Sequence, residues 1–241
     1  MDGVGATPTP STAPVRWGIP DAAVAWVVSL AAAAVALAPF VEGDGVPRRD
    51  EALATFVALV FQTGAAIAVL AFVARSKGRG TLSTDFGLRL RLGDAHWALM
   101  GLVLAGVAVG MLQPILELGD IEQRSQDVKR IFDQAGGVDL GLLVFAVLAI
   151  GPVGEEVLFR GVLLRGLQRR LPTGSAVFVS ALAFALVHVA LDPGSGFAVP
   201  PLVLLGLVSG WRAVATGSLS QSIYLHVGFN LLAVLGRLLH V

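Results

Sequence analysis

The chain has 241 residues, of which 55% are apolar and only 14% are charged. Soluble domains carry roughly 25% charged residues, so this composition excludes an ordinary soluble domain and indicates a protein that crosses a membrane several times. The 17 basic residues balance 17 acidic ones, which gives no indication of a nucleic-acid partner, and the absence of cysteine excludes disulfides, thiolate metal sites and a cysteine nucleophile.

The first 20 residues are rich in proline, threonine, alanine and glycine, and they contain a single basic residue, Arg16. This composition predicts a disordered tail over residues 1–20. The tail lacks the basic start and the small-residue cleavage site of a secretory signal. We therefore interpret the apolar run that follows as a retained first membrane span.

Seven stretches after the tail, counting this first span, are about as long as the roughly 20 apolar residues that a helix needs to cross a bilayer. They lie at Ala22–Phe40, Ala52–Ala74, Trp97–Leu116, Leu140 to about Gly166, Gly174–Leu191, Ala198–Thr216 and Ser220–Leu239. The pattern predicts an all-α, polytopic membrane bundle of seven transmembrane helices, or of eight if the long fourth stretch breaks at Pro152.

A polar segment from Glu117 to Asp139 separates the third span from the fourth and carries a few spaced apolar residues, which predicts a short interfacial helix. We divide the chain accordingly. Residues 1–20 are the tail, residues 21–137 hold the N-terminal transmembrane helices and the interfacial segment, and residues 138–241 form the core that carries the chemistry.

Basic residues near the span ends predict the orientation of the chain. With the N-terminus in the cytoplasm, eleven basic residues lie on the inner side (Arg16, Arg75, Lys77, Arg79, Arg89, Arg91, Arg160, Arg165, Arg169, Arg170, Arg212) and six on the outer side (Arg48, Arg49, Arg124, Lys129, Arg130, Arg237). A cytoplasmic N-terminus is therefore expected. The alanine- and glycine-rich composition is typical of bacteria, so we expect the inner membrane of a bacterial cell.

Charged and histidine side chains inside the spans are confined to the last four (Glu155, Glu156, Arg160, His188, Arg212, His226, Arg237). A charge near the bilayer centre costs about 2.5 kcal/mol or more, so such groups normally face the protein interior and have a function there. Helix geometry places Glu156 one turn before Arg160, which predicts an ion pair. Glu155 points about 100° away and stays free for catalysis.

Three further polar residues lie in the later spans, namely His188, His226 and Asn230. Together with a free glutamate they could activate a water molecule and stabilise an oxyanion. A glutamate with two histidines is also the ligand set of a catalytic zinc site, so zinc stays open as an alternative to a cofactor-free site. No serine lies in a Gly-x-Ser-x-Gly elbow, so a serine mechanism is not expected.

Three motifs in this region resemble those of the CAAX-processing and bacteriocin-processing membrane proteases, also called the CPBP or Abi family. Glu155-Glu156-Val157-Leu158-Phe159-Arg160 is similar to the family's Glu-Glu-x-x-x-Arg motif. Phe184 to His188 is similar to its Phe-x-x-x-His motif, and His226 to Asn230 to its His-x-x-x-Asn motif. The resemblance covers about residues 138–239.

The resemblance implies an intramembrane endopeptidase similar to type 2 CAAX prenyl proteases, acting on a peptide or membrane-protein substrate. By similarity, Glu155 with His188 would deprotonate a water molecule, His226 and Asn230 would hold the oxyanion, and Glu156 with Arg160 would be a structural pair. Family members have also been described as metalloproteases. We prefer a metal-free glutamate mechanism, because in a zinc site no free carboxylate would remain as the general base.

Two other functions compete with the protease: a non-catalytic immunity or scaffold protein, and a proton- or ion-coupled transporter. A scaffold does not need all four polar residues, and no inverted repeat supports a transporter. The sequence leaves the oligomeric state and the substrate open. One geometric difficulty is predicted, because His188 lies about 14 residues, or roughly 21 Å, from the cytoplasmic start of its helix. Either a kink at Pro152 or a tilted fifth span brings it level with Glu155, or one of the span boundaries is wrong.

Overall fold

The computed structural model describes residues 15–43, 45, 50–118, 131–132, 134–191 and 193–239, whose regular structure is helical. We label the helices α1 (Ile19–Leu37), α2 (Glu51–Lys77), α3 (Leu82–Phe86), α4 (Trp97–Leu118), α5 (Gly137–Leu167), α6 (Thr173–Leu191), α7 (Val199–Thr216) and α8 (Ser220–Leu239). A short 3-10 turn, Ala38–Phe40, extends α1. The predicted all-helical membrane bundle is thus confirmed.

Six helices of the described chain are long and apolar enough to cross a membrane, namely α1, α2, α4, α5, α6 and α7. The last predicted span corresponds to α8, a helix of 20 residues that is not among these six. The total of seven or eight transmembrane helices therefore stays a prediction. The fourth predicted span does not break at Pro152, because α5 continues as one helical stretch of 31 residues.

The helices associate in pairs around α5. In the most apolar part of α5, 50% of the residues are buried, against 17% in each of the first three spans. Glycines bring α4 and α8 into close contact, because a Cβ atom at Gly101 would lie 1.9 Å from the Leu225 carbonyl oxygen. Gly206 and Gly210 of α7 likewise contact α6 at Ala181 and Val177. Such small residues let helix backbones approach in a membrane.

The middle of α5 alternates between α-helical and π-helical turns. Wide turns cover Ala146–Ile150 and Val157–Leu163, and they flank the α-helical segment Gly151–Glu156. Pro152 is the second residue of that segment and lies inside the continuous α5, where its ring has no N–H to donate to the preceding turn. Wide turns of this kind are frequent at functional sites, and here they enclose both glutamates.

The N-terminal end of α1 is fixed to the rest of the bundle. The Trp17 indole is buried and donates a hydrogen bond to Asp85 (2.8 Å). The Asp21 carboxylate accepts a hydrogen bond from the Gly18 amide and caps α1. Residues 15–20 of the predicted tail are therefore packed, while residues 1–14 lie outside the described residues.

Most of the predicted interfacial helix between Glu117 and Asp139 also lies outside the described residues. Of its apolar residues, Ile131 and Phe132 are described, and both are helical. Phe132 is buried in a small cluster with Leu143 and Val234.

Candidate functional site

Two consecutive glutamates of α5 occupy different environments. The Glu156 and Arg160 side chains are completely buried, and Glu156 Oε1 lies 3.1 Å from an Arg160 nitrogen in the predicted ion pair. The Glu155 side chain is 30% exposed. One turn of helix therefore presents one carboxylate to the protein interior and the next to a partly open site.

His226 of α8 lies between the two glutamates. Its Nδ1 is 3.0 Å from Glu156 Oε1, and its Nε2 is 3.5 Å from Glu155 Oε2. The side chain is almost fully buried. Sequence reasoning missed the contact with Glu156, because helix periodicity assigned that residue to Arg160 alone.

His188 of α6 also approaches Glu155. Its Nε2 lies 3.8 Å from Glu155 Oε2, and its Nδ1 lies 2.8 Å from the Phe184 carbonyl oxygen one turn earlier. A carbonyl oxygen only accepts hydrogen bonds, so Nδ1 carries the proton. In the neutral ring Nε2 is then the free acceptor, and it faces Glu155.

Asn230 lies one turn beyond His226 on α8, and its amide nitrogen donates a hydrogen bond to the Val147 carbonyl oxygen (3.0 Å). That carbonyl lies in the first wide turn of α5, where Gly151 N–H bonds to Ala146 five residues back. In the same pattern Val147 would accept from residue 152, but Pro152 has no N–H. Asn230 supplies the missing donor, and no hydrogen bond within the described chain joins it to Glu155, His188 or His226.

Phe184 explains why an aromatic residue precedes His188 by one turn. The centre of its buried ring lies 4.4 Å from the Arg160 guanidinium carbon. The centres of the His188 and His226 rings lie 4.6 and 5.6 Å from the same ring centre. A cation over an aromatic face is stabilised by the ring quadrupole. The same side chain therefore supports the ion pair and orients both histidines.

Several buried polar atoms of the described region have no hydrogen-bond partner: Glu156 Oε2, the three Arg160 nitrogens and Ser209 Oγ. Unpaired polar groups are costly in a low-dielectric interior. For Glu156 and Arg160 the ion pair at 3.1 Å and the Phe184 ring under the guanidinium offset part of that cost.

A metal ion at this site would have three candidate ligands, the side chains of Glu155, His188 and His226. Their facing atoms are separated by 3.5 and 3.8 Å, slightly more than the roughly 3.4 Å between ligands in a tetrahedral site with bonds of about 2.1 Å. As they stand, no three histidine, cysteine or acidic side chains in the described ranges are arranged to hold a metal ion.

Residues 138–232 match the family model described as type II CAAX prenyl endopeptidase Rce1-like. The match contains all three polar motifs and covers fewer than half of the 241 residues. No curated protein and no solved structure matches the chain.

Proposed function

Because residues 138–232 belong to the Rce1-like family of type II CAAX prenyl endopeptidases, we propose that the chain is an intramembrane endopeptidase that hydrolyses peptide bonds with a water molecule activated by Glu155 and His188. The observation that supports this proposal most directly is the meeting of Glu155, His188 and His226. These side chains come from three different helices, and the Nε2 atoms of both histidines lie within 3.8 Å of the partly exposed Glu155 carboxylate.

Glu155 and His188 supply the basic atoms of the proposed reaction. We place the attacking water between Glu155 Oε2 and His188 Nε2, which is an acceptor when the ring is neutral. The water oxygen attacks the scissile carbonyl carbon while one water proton moves to Glu155. The same proton then passes to the amide nitrogen as the carbon–nitrogen bond breaks, so the site returns to its starting state.

His226 and Asn230 would stabilise the negative charge on the carbonyl oxygen. With Nδ1–H bonded to Glu156, His226 donates through Nε2 only as an imidazolium, and two carboxylates flank that positive charge. Asn230 uses one N–H on Val147 and has a second N–H left for the substrate. Donors positioned in advance at a developing charge are usually the largest contribution to catalysis.

The competing functions fit the site less well. A scaffold or immunity protein gains nothing from a partly exposed carboxylate that two histidines approach. A transporter would need a continuous polar pathway, whereas Glu156 and Arg160 are completely buried and the Arg160 guanidinium lies against the Phe184 ring. The substrate we propose is a peptide or a membrane protein within reach of the bilayer, in a bacterial inner membrane.

The deciding experiment is peptide hydrolysis by the purified chain. A library of quenched fluorescent peptides should contain cleaved members with the wild type and none with Glu155→Ala. Arg75→Gln, an exposed change far from the site, serves as the purification control. Cleavage that persists at the wild-type rate in Glu155→Ala would refute the proposal.

A further inference from the structure

An apolar groove of about 380 Å³ lies on the surface of the helix bundle between α6 and α7, and its lining contains none of the glutamates and histidines of the proposed site. It is lined by Gly174, Val177, Leu207, Val208, Trp211 and Arg212. Its volume falls in the range of small-molecule sites, which is roughly 300–1,000 Å³. The only charged side chain in its lining is Arg212.

The groove lies at one end of the two helices. Gly174 is the second residue of α6, while Trp211 and Arg212 lie in the last two turns of α7. The Trp211 side chain is 57% exposed. Exposed tryptophans near span ends belong to the interface between the acyl chains and the headgroups. The groove therefore opens to the bilayer just below its surface.

The charge at the polar end of the groove is positive, and no carboxylate of the described chain contacts it directly. Arg212 donates two hydrogen bonds to the neutral Gln221 side chain and stacks on the Trp97 ring. Gln221 in turn donates a hydrogen bond to Asp94 (3.0 Å), so a neutral amide separates that carboxylate from Arg212. The first turn of α6 contains no acidic residue, and Arg170 is exposed three residues before that helix. Because the free N–H groups at a helix start also attract anions, all of these features favour a negatively charged group.

We propose that this groove binds one anionic phospholipid of the surrounding bilayer. An acyl chain lies along Val177, Leu207, Val208 and Trp211, and the phosphate group lies between Arg212 and the N-terminus of α6. Neither a second copy of the chain nor a peptide explains the combination of an apolar floor with a cation that lacks a direct carboxylate partner in the described chain. The site is independent of the proposed hydrolysis, and it would be retained in a catalytically inactive protein.

Tryptophan quenching tests the proposal directly, because Trp211 lies in the groove. The purified full chain is reconstituted in vesicles in which either the phosphatidylglycerol or the phosphatidylcholine carries brominated acyl chains. The quenching that disappears in Trp211→Phe is the contribution from the groove. We expect brominated phosphatidylglycerol to quench Trp211 at least twofold more than brominated phosphatidylcholine at equal mole fraction.

Two charge variants identify the cause of that preference. Arg212→Gln and Ser175→Asp should each bring the ratio to about one, and Ser175→Asp should not destabilise the chain because an acidic residue is favourable in the first turn of a helix. Arg75→Gln, which changes the net charge by the same amount at the same end of the bundle, should keep the ratio. Equal quenching by both lipids in the wild type would overturn the proposal. Absence of Trp211 quenching by either lipid would overturn it as well, since it would mean that protein covers the groove.

Discussion

His226 lies between two carboxylates that belong to neighbouring residues of α5. The buried one fixes the ring through Nδ1, and the partly exposed one faces Nε2. In the proposed reaction, Glu156 would position this ring without contacting the substrate. The residue that sequence analysis assigned to a purely structural ion pair is thus also a positioning residue for a candidate catalytic histidine.

The two glutamates should respond differently to mutation. Glu155→Gln should abolish peptide hydrolysis with little change in stability, because Glu155 is no partner of Arg160 in the buried ion pair. Glu156→Ala should lower the free energy of unfolding by about 3 kcal/mol, because it leaves the Arg160 charge buried and unpaired. It should also reduce turnover, since His226 loses its anchor. Denaturation in detergent together with peptide turnover measures both effects, and equal stability losses would contradict this division of roles.

Asn230 combines a structural contact with a proposed catalytic role, and a double mutant separates them. Asn230→Ala should reduce turnover on the order of a hundredfold, the typical cost of losing one oxyanion donor. It should also lower stability, because the Val147 carbonyl loses its partner. Adding Pro152→Ala restores a backbone N–H to α5, so it should recover stability and leave turnover low.

A second double mutant tests whether His226 and Asn230 act on the same transition state. Groups that act as a unit give non-additive losses, so His226→Ala with Asn230→Ala should be barely slower than the worse single variant. If the two rate losses simply multiply, the shared oxyanion role is wrong.

A metal-free mechanism is expected from the arrangement around Glu156. A zinc ion would be bound by Glu155, His188 and His226. The remaining carboxylate, that of Glu156, is completely buried against Arg160 and His226. No carboxylate would then be left to deprotonate the water. Elemental analysis of active protein and chelator titration check this. About one zinc per chain, with activity lost on chelation and restored by the metal, would show that the prediction is wrong.

Among the elements, α5 differs most from what the sequence indicates. Length and hydropathy predicted its boundaries to within three residues at the start and about one at the end. The sequence left open a break of this span at Pro152, and α5 has none. Wide turns absorb the lost hydrogen bond, and Asn230 and Thr63 donate hydrogen bonds to the carbonyls of Val147 and Ile150. Those donors come from α8 and α2, so a local pattern could not reveal them.

The sequence predicted the residues of the proposed site but only part of their contacts. Motif spacing and helix periodicity selected Glu155, His188 and His226 and paired Glu156 with Arg160, and all these side chains meet in the structure. The height mismatch expected for His188 is not observed, since its Nε2 lies beside Glu155. Spacing along a helix fixes which residues share a face. Only the packing of α5, α6 and α8 decides which faces meet, and the contact between His226 and Glu156 depends on that packing. The catalytic roles themselves stay predictions.

The contact between α2 and α5 gives an element-scale prediction. A Cβ atom at Gly154 would lie 2.5 Å from Thr63 Oγ1, so Gly154→Ala forces α2 away from the turn that carries Glu155. We expect a stability loss of about 1–3 kcal/mol, as for other overpacked sites, together with reduced turnover. Thr63→Ala in the same chain should recover part of both. Gly64→Ala is the matched control, because its Cβ meets nothing within 4 Å. An unchanged Gly154→Ala enzyme would contradict the close contact.

For the molecule as a whole, the described helix ends separate into two faces. Hydrogen bonds join the start of α1 to the end of α2, the segment before α4 to the start of α8, and α5 to the turn after α7. This face therefore carries ten of the eleven basic residues that the sequence assigned to the cytoplasm. Arg160 does not belong in that count, because it is buried and paired. The remaining asymmetry still favours a cytoplasmic N-terminus.

The natural absence of cysteine makes this orientation directly measurable. A single cysteine replaces either Thr84, exposed in α3 on the basic face, or Gln134, exposed before α5 on the opposite face. In intact bacterial cells a membrane-impermeant maleimide should label Gln134→Cys and should not label Thr84→Cys until the membrane is opened. The native chain, which has no thiol, is the blank. Labelling of Thr84→Cys alone in intact cells would mean the reverse orientation, and it would place the groove with Arg212 in the outer leaflet.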